Sequence, residues 1–454
     1  MFLSSRKLGW GLAAVSALLR ALAFVHYRFD SDEPQHLHVT WGWTAGLVQY
    51  RDVFDNHAPL FHLVTAPLLA ALGERSDILF FMRAAMLPLL AGVLACTWLL
   101  ARRLYDDDVA FRAVVLLSLV PTFFLKSLEY RADNLWTLLC ALALVVLTRV
   151  SPARIFVCGL LLGLAFTASV KTPVLVIAIV LAAVIVTRRA DVRLALLFGA
   201  GFAIAPAIVA VVFARLGAWK ALVYCLFRFN ASASQTNLGW LLFVVLLAIT
   251  AFVARRLPPS RHTFFALVAV LFVITRLGFW SMITSRDFLP LLPLAAIFAA
   301  AHFSPRVLTA IALASIAALV YYTDGFRNRT AIYTTMLDQV LRVSRPGEYL
   351  MDIKGETIYR PRPYYFVFEA VTRAQMERGA IDDTIPEQVV ARRCYVAQAE
   401  GPMLPPRGRA WLNEHFVDLG RLRAAGQWVA GDGTFTIAVP GPYVILDANG
   451  HAHG

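Results

Sequence analysis

The chain has 454 residues, 59% hydrophobic and only 16% charged, with a mean hydropathy of +0.65. Soluble globular proteins are about half apolar and about a quarter charged, so a soluble enzyme is excluded and a polytopic membrane protein is indicated. The net charge of +13 does not indicate nucleic-acid binding: residues 324–454 carry 15 basic and 15 acidic side chains, and the excess, 27 against 14, lies in the hydrophobic part, where basic residues flank membrane spans.

A span needs about 20 apolar residues. Stretches of this kind run approximately over 8–27, 83–104, 109–126, 131–148, 154–170, 172–187, 193–214, 238–254, 262–280, 287–303 and 306–322. They predict an α-helical membrane protein with about eleven transmembrane helices. The first stretch is too long for a signal-peptide core and lacks a small-residue cleavage site, so it reads as a retained helix. Basic residues at Arg6-Lys7, Arg102-Arg103, Arg149 with Arg154, Arg188-Arg189, Arg255-Arg256 and Arg306 mark alternate junctions as cytoplasmic. The N-terminus is then inside and the tail outside.

The first outer loop, 28–82, is long. Leu37, Trp41, Ala45 and Val48 recur in it at helical spacing and predict a helix at the membrane interface. Pro59 to Leu72 is apolar but short for a span, and predicts a second interfacial or re-entrant helix. After the transmembrane domain, 1–322, the chain changes character. "CYVAQA", "FTIAV" and "YVILDANG" read as short strands between Gly-Asp-Gly and Pro-Gly turns, so 323–454 is expected to form a small α/β extracytoplasmic domain. Cys96, Cys140, Cys158, Cys225 and Cys394 are scattered, with neither disulfide-framework nor zinc-site spacing.

Four stretches collect on the outer face of this topology: "DSDEPQH" from Asp30, "YRDVFDNHAPLFH" from Tyr50, "KSLEYRADNLW" from Lys126 and "TRLGFWSMITSRDFLPLLP" from Thr275. Of the 14 acids before residue 324, only Asp106, Asp107, Asp108 and Asp191 fall inside; the others mix with arginine and lysine outside. A topology signal does not need that mixture, whereas a polar site does. Carboxylates at an apolar boundary serve as bases, arginine and lysine hold phosphate, and interfacial aromatics suit sugars or headgroups. A lipid-phosphate donor carrying a sugar needs all three. Plainer readings exist for each feature. Asp32-Glu33 suits a solvated helix start, and Trp41 and Trp43 suit belt anchors. Arg131 and Asp133 could simply pair, and Lys171 could mark a span end. His36, His38, His57 and His62 match no standard metal spacing.

An Asp-Glu after the first span, the Tyr50–His62 stretch and "EYRAD" before a later span, taken in order, resemble the GT-C superfamily of integral-membrane glycosyltransferases. The branch is the one that contains protein O-mannosyltransferases and the lipid A aminoarabinose transferase. "RDFLPLLPLAAIFAA" is similar to the family's Tyr-Leu-x-Pro-x-x-Pro opening of a late span. The resemblance implies inverting transfer of a hexosyl or pentosyl group from a polyprenyl-phosphate sugar donor to a lipid, glycan or protein acceptor. The reaction would occur on the non-cytoplasmic face, with a bacterial inner membrane and a periplasmic site as the expected setting. The family's essential aspartate matches Asp32, with Glu33 beside it, and its second acid matches Asp133. Its Lys-Pro-Pro-Leu is replaced by His57-Ala58-Pro59-Leu60, so the lysine associated with donor phosphate is missing. His57, Arg131, Lys171 and Arg286 are the candidate substitutes, and Trp41 is a further substrate-binding candidate. A divalent metal is compatible with such a site, but no ligand pattern requires one. The main rival, a transporter or lipid flippase, tends to carry mid-span charges and internal repeats; here the charges gather at one face and no repeat is visible.

Overall fold

The structure, a computed structural model, describes residues 6–188, 191–231, 238–279, 283–398, 401, 403–430, 433–434, 436–447 and 452–453. It opens with α1 (Arg6–His26), followed by α2 (Asp32–Thr44) and α3 (Leu60–Leu72) in the first loop. Then come α4 (Ile78–Ala84), α5 (Leu87–Leu104), α6 (Asp107–Leu119), α7 (Pro121–Lys126), α8 (Ala132–Leu147), α9 (Pro152–Ala168), α10 (Thr172–Thr187) and α11 (Val192–Arg215). A short α12 (Trp219–Val223) runs into a π-helical turn, Tyr224–Phe229. The helical part finishes with α13 (Leu238–Ala254), α14 (Arg261–Phe279), a 3₁₀ segment Ser285–Leu291, α15 (Leu292–His302) and α16 (Pro305–Tyr322).

Five helical stretches are long and apolar enough to cross a membrane: Arg6–His26, Ile78–Leu104, Val192–Arg215, Arg261–Gly278 and Pro305–Tyr322. The other expected spans are helical but shorter or broken. Those at α8, α9, α10 and α13 have 16 or 17 residues, which at 1.5 Å per residue reach about 24–26 Å, against a hydrocarbon core of about 30 Å. The stretch 109–126 is interrupted between α6 and α7 at Pro121, which has no amide to continue the ladder. The stretch 287–303 starts in the 3₁₀ segment, leaving α15 only 11 residues. Neighbours bury the shorter helices: Cys140, Leu144, Cys158, Leu162 and Ala178 share one core. Outward-facing apolar side chains such as Leu18, Ile208, Leu241 and Ile249 are more than half exposed, as a surface solvated by lipid requires.

Glycine sets the closest helix packing. A Cβ on Gly159 would lie 2.1 Å from the Phe198 carbonyl oxygen, and one on Gly201 would lie 2.2 Å from that of Phe156. α9 and α11 therefore meet backbone to backbone, the close approach that small residues permit in membranes. Arg20, inside α1, is satisfied locally by donating to the Phe124 carbonyl at 3.0 Å and the Ser127 hydroxyl at 2.7 Å.

The expected interfacial helix around Leu37 and Trp41 is instead a buried one. Residues 33–40 of α2 are all buried, and Ala45 and Val48 lie past its end. α2 packs on α3, and the Tyr130 hydroxyl joins the two by bonding Thr40 Oγ1 at 2.8 Å and Thr65 Oγ1 at 2.6 Å.

After α16 the chain forms α17 (Ala331–Val343), β1 (Leu350–Met351), α18 (Ala370–Glu377), α19 (Ile385–Ala391), β2 (Val396–Gln398), α20 (Pro406–His415), β3 (Phe416–Leu419) and β4 (Leu422–Ala425). These strands make a sheet of order β1-β2-β4-β3, with β1 and β2 parallel and the remaining pairs antiparallel. β5 (Ile445–Leu446) and β6 (Ala452–His453) pair separately. "CYVAQA" contains β2, and "YVILDANG" contains β5. The described residues of "FTIAV" form no strand, although Val439 is buried. Residues 280–282, 399, 435 and 448–450 of the quoted stretches lie outside the described set. This α/β region shares its cores with the first loop: Tyr50, Phe54 and Ala58 pack with Phe229, Met351, Tyr364 and Phe368, and Leu37 and Phe61 with Leu337, Leu350 and Tyr359.

Candidate active site at the meeting of three loops and the α/β region

Asp32 begins α2 and is held by three cations from distant parts of the chain. Its Oδ2 accepts from Arg131 Nη2 at 2.6 Å and from Arg286 Nη1, and its Oδ1 accepts from Lys354 Nζ at 2.7 Å. Arg131 comes from the turn before α8, Arg286 from the 3₁₀ segment and Lys354 from the turn after β1. Burial alone would push the Asp32 carboxyl up; Arg131, Lys354 and Arg286 outweigh it and hold it well below the usual carboxylate range.

A wider network surrounds this clamp. Arg131 Nε donates to Asp133 at 3.0 Å, and its Nη1 pairs with Glu129. Lys126 reaches both Glu129 oxygens, at 2.8 and 2.9 Å, and Asp30 at 3.3 Å. Lys171 sits 2.6 Å from Asp287 and 3.9 Å from Asp133, and Arg276 also pairs with Asp287. The Asp287 carboxylate further accepts the Thr284 amide at 2.8 Å, as part of a capping box that fixes the 3₁₀ segment carrying Arg286. The "DSDEPQH", "KSLEYRADNLW" and "SRDF" stretches are thus physically contiguous.

Glu33 has a different place from Asp32. Its Oε1 accepts from Arg83 Nη2 at 2.5 Å and the Asp30 amide at 2.8 Å; its Oε2 accepts from Arg83 Nε at 2.8 Å and the Tyr130 amide at 2.9 Å. Two donors on each oxygen leave this fully buried carboxylate no lone pair for a substrate proton. The geometry makes Glu33 a structural corner rather than the catalytic residue expected from its position beside Asp32.

His57 bonds outside the Asp32 clamp, though it lies near enough to Asp133 and Glu369 to act on both carboxyls. Its Nδ1 lies 2.8 Å from Asp55 Oδ1, while Gln49 Nε2 bridges Asp55 at 2.7 Å and His62 at 3.2 Å. His62 in turn lies 3.0 Å from His36 Nδ1. Burial pushes His36 well down and His62 down to about 4, so these two rings meet as neutral imidazoles. Among the described residues no group of three or more His, Cys, Asp or Glu has metal-holding geometry. Trp41 stacks on His38, with centroids 5.4 Å apart, and lines a cavity of about 620 Å³ with Gly73, Tyr359 and Pro361. None of the Asp32 clamp residues lines that cavity.

Two participants carried no sequence signal. Lys354 lies in a tail whose charges balance, without periodicity to mark it. Glu369, half-buried, accepts from Asn56 Nδ2 at 2.9 Å. Gln35, one turn after Asp32 on the same helix face, is buried with neither end of its amide hydrogen-bonded among the described residues.

Residues 56–214 match the family described as dolichyl-phosphate-mannose-protein mannosyltransferase. Two solved structures share the fold over nearly the whole chain: ArnT from Cupriavidus metallidurans bound to undecaprenyl phosphate, and the same protein in the apo state. The first is 14% identical, covering 92% of this chain and 99% of that one at a TM-score of 0.65. The second is 14% identical, covering 93% and 100% at 0.65. None of the curated proteins matches in sequence. The chain therefore has the fold of these ArnT structures, and the mannosyltransferase family model matches its residues 56–214.

Proposed function

We propose that this protein transfers a sugar from a polyprenyl-phosphate donor to an acceptor hydroxyl at the non-cytoplasmic face of a membrane, with Asp32 as general base. The observation that carries this reading is the convergence of Arg131, Arg286 and Lys354 on Asp32. A buried carboxylate needs one good partner; several cations around it also suit a second, transient anion. Arg286 Nε is buried and without a partner among the described residues, a donor available to a phosphate oxygen.

In the proposed step the acceptor oxygen attacks the anomeric carbon as its proton passes to Asp32. The carbon–oxygen bond to phosphate breaks on the opposite face, so configuration inverts. The departing lipid phosphate gains a second negative charge, and Arg131 and Arg286, with Lys171 close by, stabilise it as it forms. Clamped as in the free protein, Asp32 is a poor base. Donor phosphate would compete for the same guanidinium groups, draw them off the carboxylate and restore its basicity, so base activation follows donor binding. Gln35 is placed to bond a sugar hydroxyl.

The test is transfer from a polyprenyl-phosphate sugar by purified protein. Asp32→Asn should insert normally and lose about a hundredfold to ten-thousandfold in turnover, the range for removing a general base. Wild-type turnover by a folded Asp32→Asn variant would rule out Asp32 as the base.

A further inference from the structure

The family motif places a lysine where this chain has His57, and the first loop supplies no other lysine. We propose that Lys354, delivered by the α/β region, is the lysine that binds the donor phosphate in this protein; the proposal rests on the glycosyltransferase reading above.

The loop that carries it is built to present it. Asp352 accepts from the Gly355 amide at 2.9 Å, the Thr357 amide at 3.0 Å, Thr357 Oγ1 at 2.8 Å and Arg362 Nε at 2.7 Å. The Lys354 amide donates to Glu356 Oε2 at 2.6 Å, and the Tyr333 hydroxyl donates to the Glu356 carbonyl. Gly355 turns at φ +95°, and a Cβ there would lie 2.7 Å from His38 Cβ. The loop therefore sits directly on α2, and His38 Nδ1 lies 2.8 Å from the Ile358 carbonyl on its far side. Such a turn fixes where residue 354 points.

Charge balance argues against a merely structural pair. Asp32 already meets two guanidinium groups, Arg286 and the Arg131 it shares with Glu129 and Asp133, before Lys354 is counted. Arg286 and Lys354 have Asp32 as their one ion-pair partner among the described residues. An ammonium group has three donors, and one of those on Lys354 is used. Desolvating a further cation beside a carboxylate that is already paired is costly unless an anion arrives. The position also matches the gap in the motif: Glu369 bonds Asn56, the residue before His57, and is influenced by both Lys354 and His57. The tail's ammonium therefore reaches the neighbourhood in which the motif's lysine is missing.

The test is equilibrium binding of a C55 polyprenyl phosphate, and of the corresponding neutral polyprenol, to full-length protein in detergent. Lys354→Met should weaken the phosphate lipid about tenfold, one charge-assisted contact, and leave the polyprenol unchanged. Lys354→Arg should stay within about threefold of wild type. Equal loss for both lipids, or wild-type affinity of Lys354→Met for the phosphate, would overturn the assignment. If Lys354→Met does not fold, reductive methylation of the wild type decides. Protection of Lys354 by the phosphate lipid but not by the polyprenol supports the role; equal modification refutes it. Should the wild type bind no polyprenyl phosphate, the donor reading falls together with Lys354; should it bind and Lys354→Met bind equally, Lys354 alone falls.

Discussion

Arg83 grips Glu33 through two parallel hydrogen bonds, 2.8 and 2.5 Å, with both side chains fully buried. One residue earlier, Asp32 faces three cations in the open part of the network. Successive helical positions diverge by about 100°, so one residue of offset separates a structural carboxylate from the proposed base.

Glu33→Gln should therefore behave unlike Asp32→Asn. Removing one partner from a buried pair typically costs about 3–5 kcal/mol. Expected are a lower melting temperature and reduced yield, with any folded fraction retaining substantial turnover. A stable Glu33→Gln protein that is catalytically dead would return Glu33 to the chemistry.

Arg131 and Arg286 should also separate. Arg131 is nearly inaccessible and pairs with three acids, so Arg131→Ala is expected to destabilise the fold as well as donor use. Arg286 keeps 29% of its side chain exposed. Arg286→Ala should melt near the wild type while the apparent KM for donor rises about tenfold, one lost charge-assisted contact. Lys171→Ala should have a smaller effect on donor KM, because Lys171 neutralises Asp287 rather than Asp32. Donor titrations alongside thermal melts distinguish the three.

pH acts through the Lys354 loop. Burial, reinforced by Asp352, pushes Glu356 up to about 7. A carboxyl raised in the folded state contributes stability below its unfolded value of about 4.3 and loses it as pH rises through about 7, because the folded form holds the proton more tightly. Relative to Glu356→Gln, the wild-type melting temperature should fall between pH 5.5 and 8; buried His36, pushed well down, contributes the opposite slope to both proteins. Asp32 runs the other way: its carboxyl is held down, so its contribution is present above about 3.9 and lost only as pH falls below that. An acid limb of kcat/KM in the usual carboxylate range or above would contradict the clamp.

Gly355→Ala tests whether the turn matters. A side chain at φ +95° is strained, and the added methyl would press on His38. Left-handed backbone costs a non-glycine residue about 1–2 kcal/mol. The variant should lose stability by about that amount and weaken donor use, whereas Gly46→Ala, also at positive φ but with open space around its Cβ, should leave donor use unchanged.

Much of this was legible in the sequence. A bilayer forces long apolar runs, so every expected span is mainly helical and five are long and apolar enough to cross a membrane, and charges at span ends pointed to Asp32, Arg131, Lys171 and Arg286, which do gather in one network. What stayed hidden depends on neighbours. Composition could not show that α8, α9 and α10 are short helices sheltered by others, nor that α2 is buried by the α/β region. Trp41 and His57 looked equivalent to the clamp residues because their chemistry suits a sugar site, but the fold turns one toward His38 and the other toward Asp55. Lys354 is a single cation among balanced charges, and only the turn made by Asp352 and Gly355 gives it direction.

The ion cluster joins residues made far apart in the order of synthesis. Asp32 emerges early, while Lys354 follows 322 residues later. While the chain is still on the ribosome, Asp32, Arg131 and Arg286 can be in place before the final cation has been made. A product truncated before residue 354 would carry α1 to α16 and yet an unfinished cluster. Synthesis past residue 354 is thus recorded at the turn that opens α2, and a chain that stops short of it lacks the third cation on Asp32.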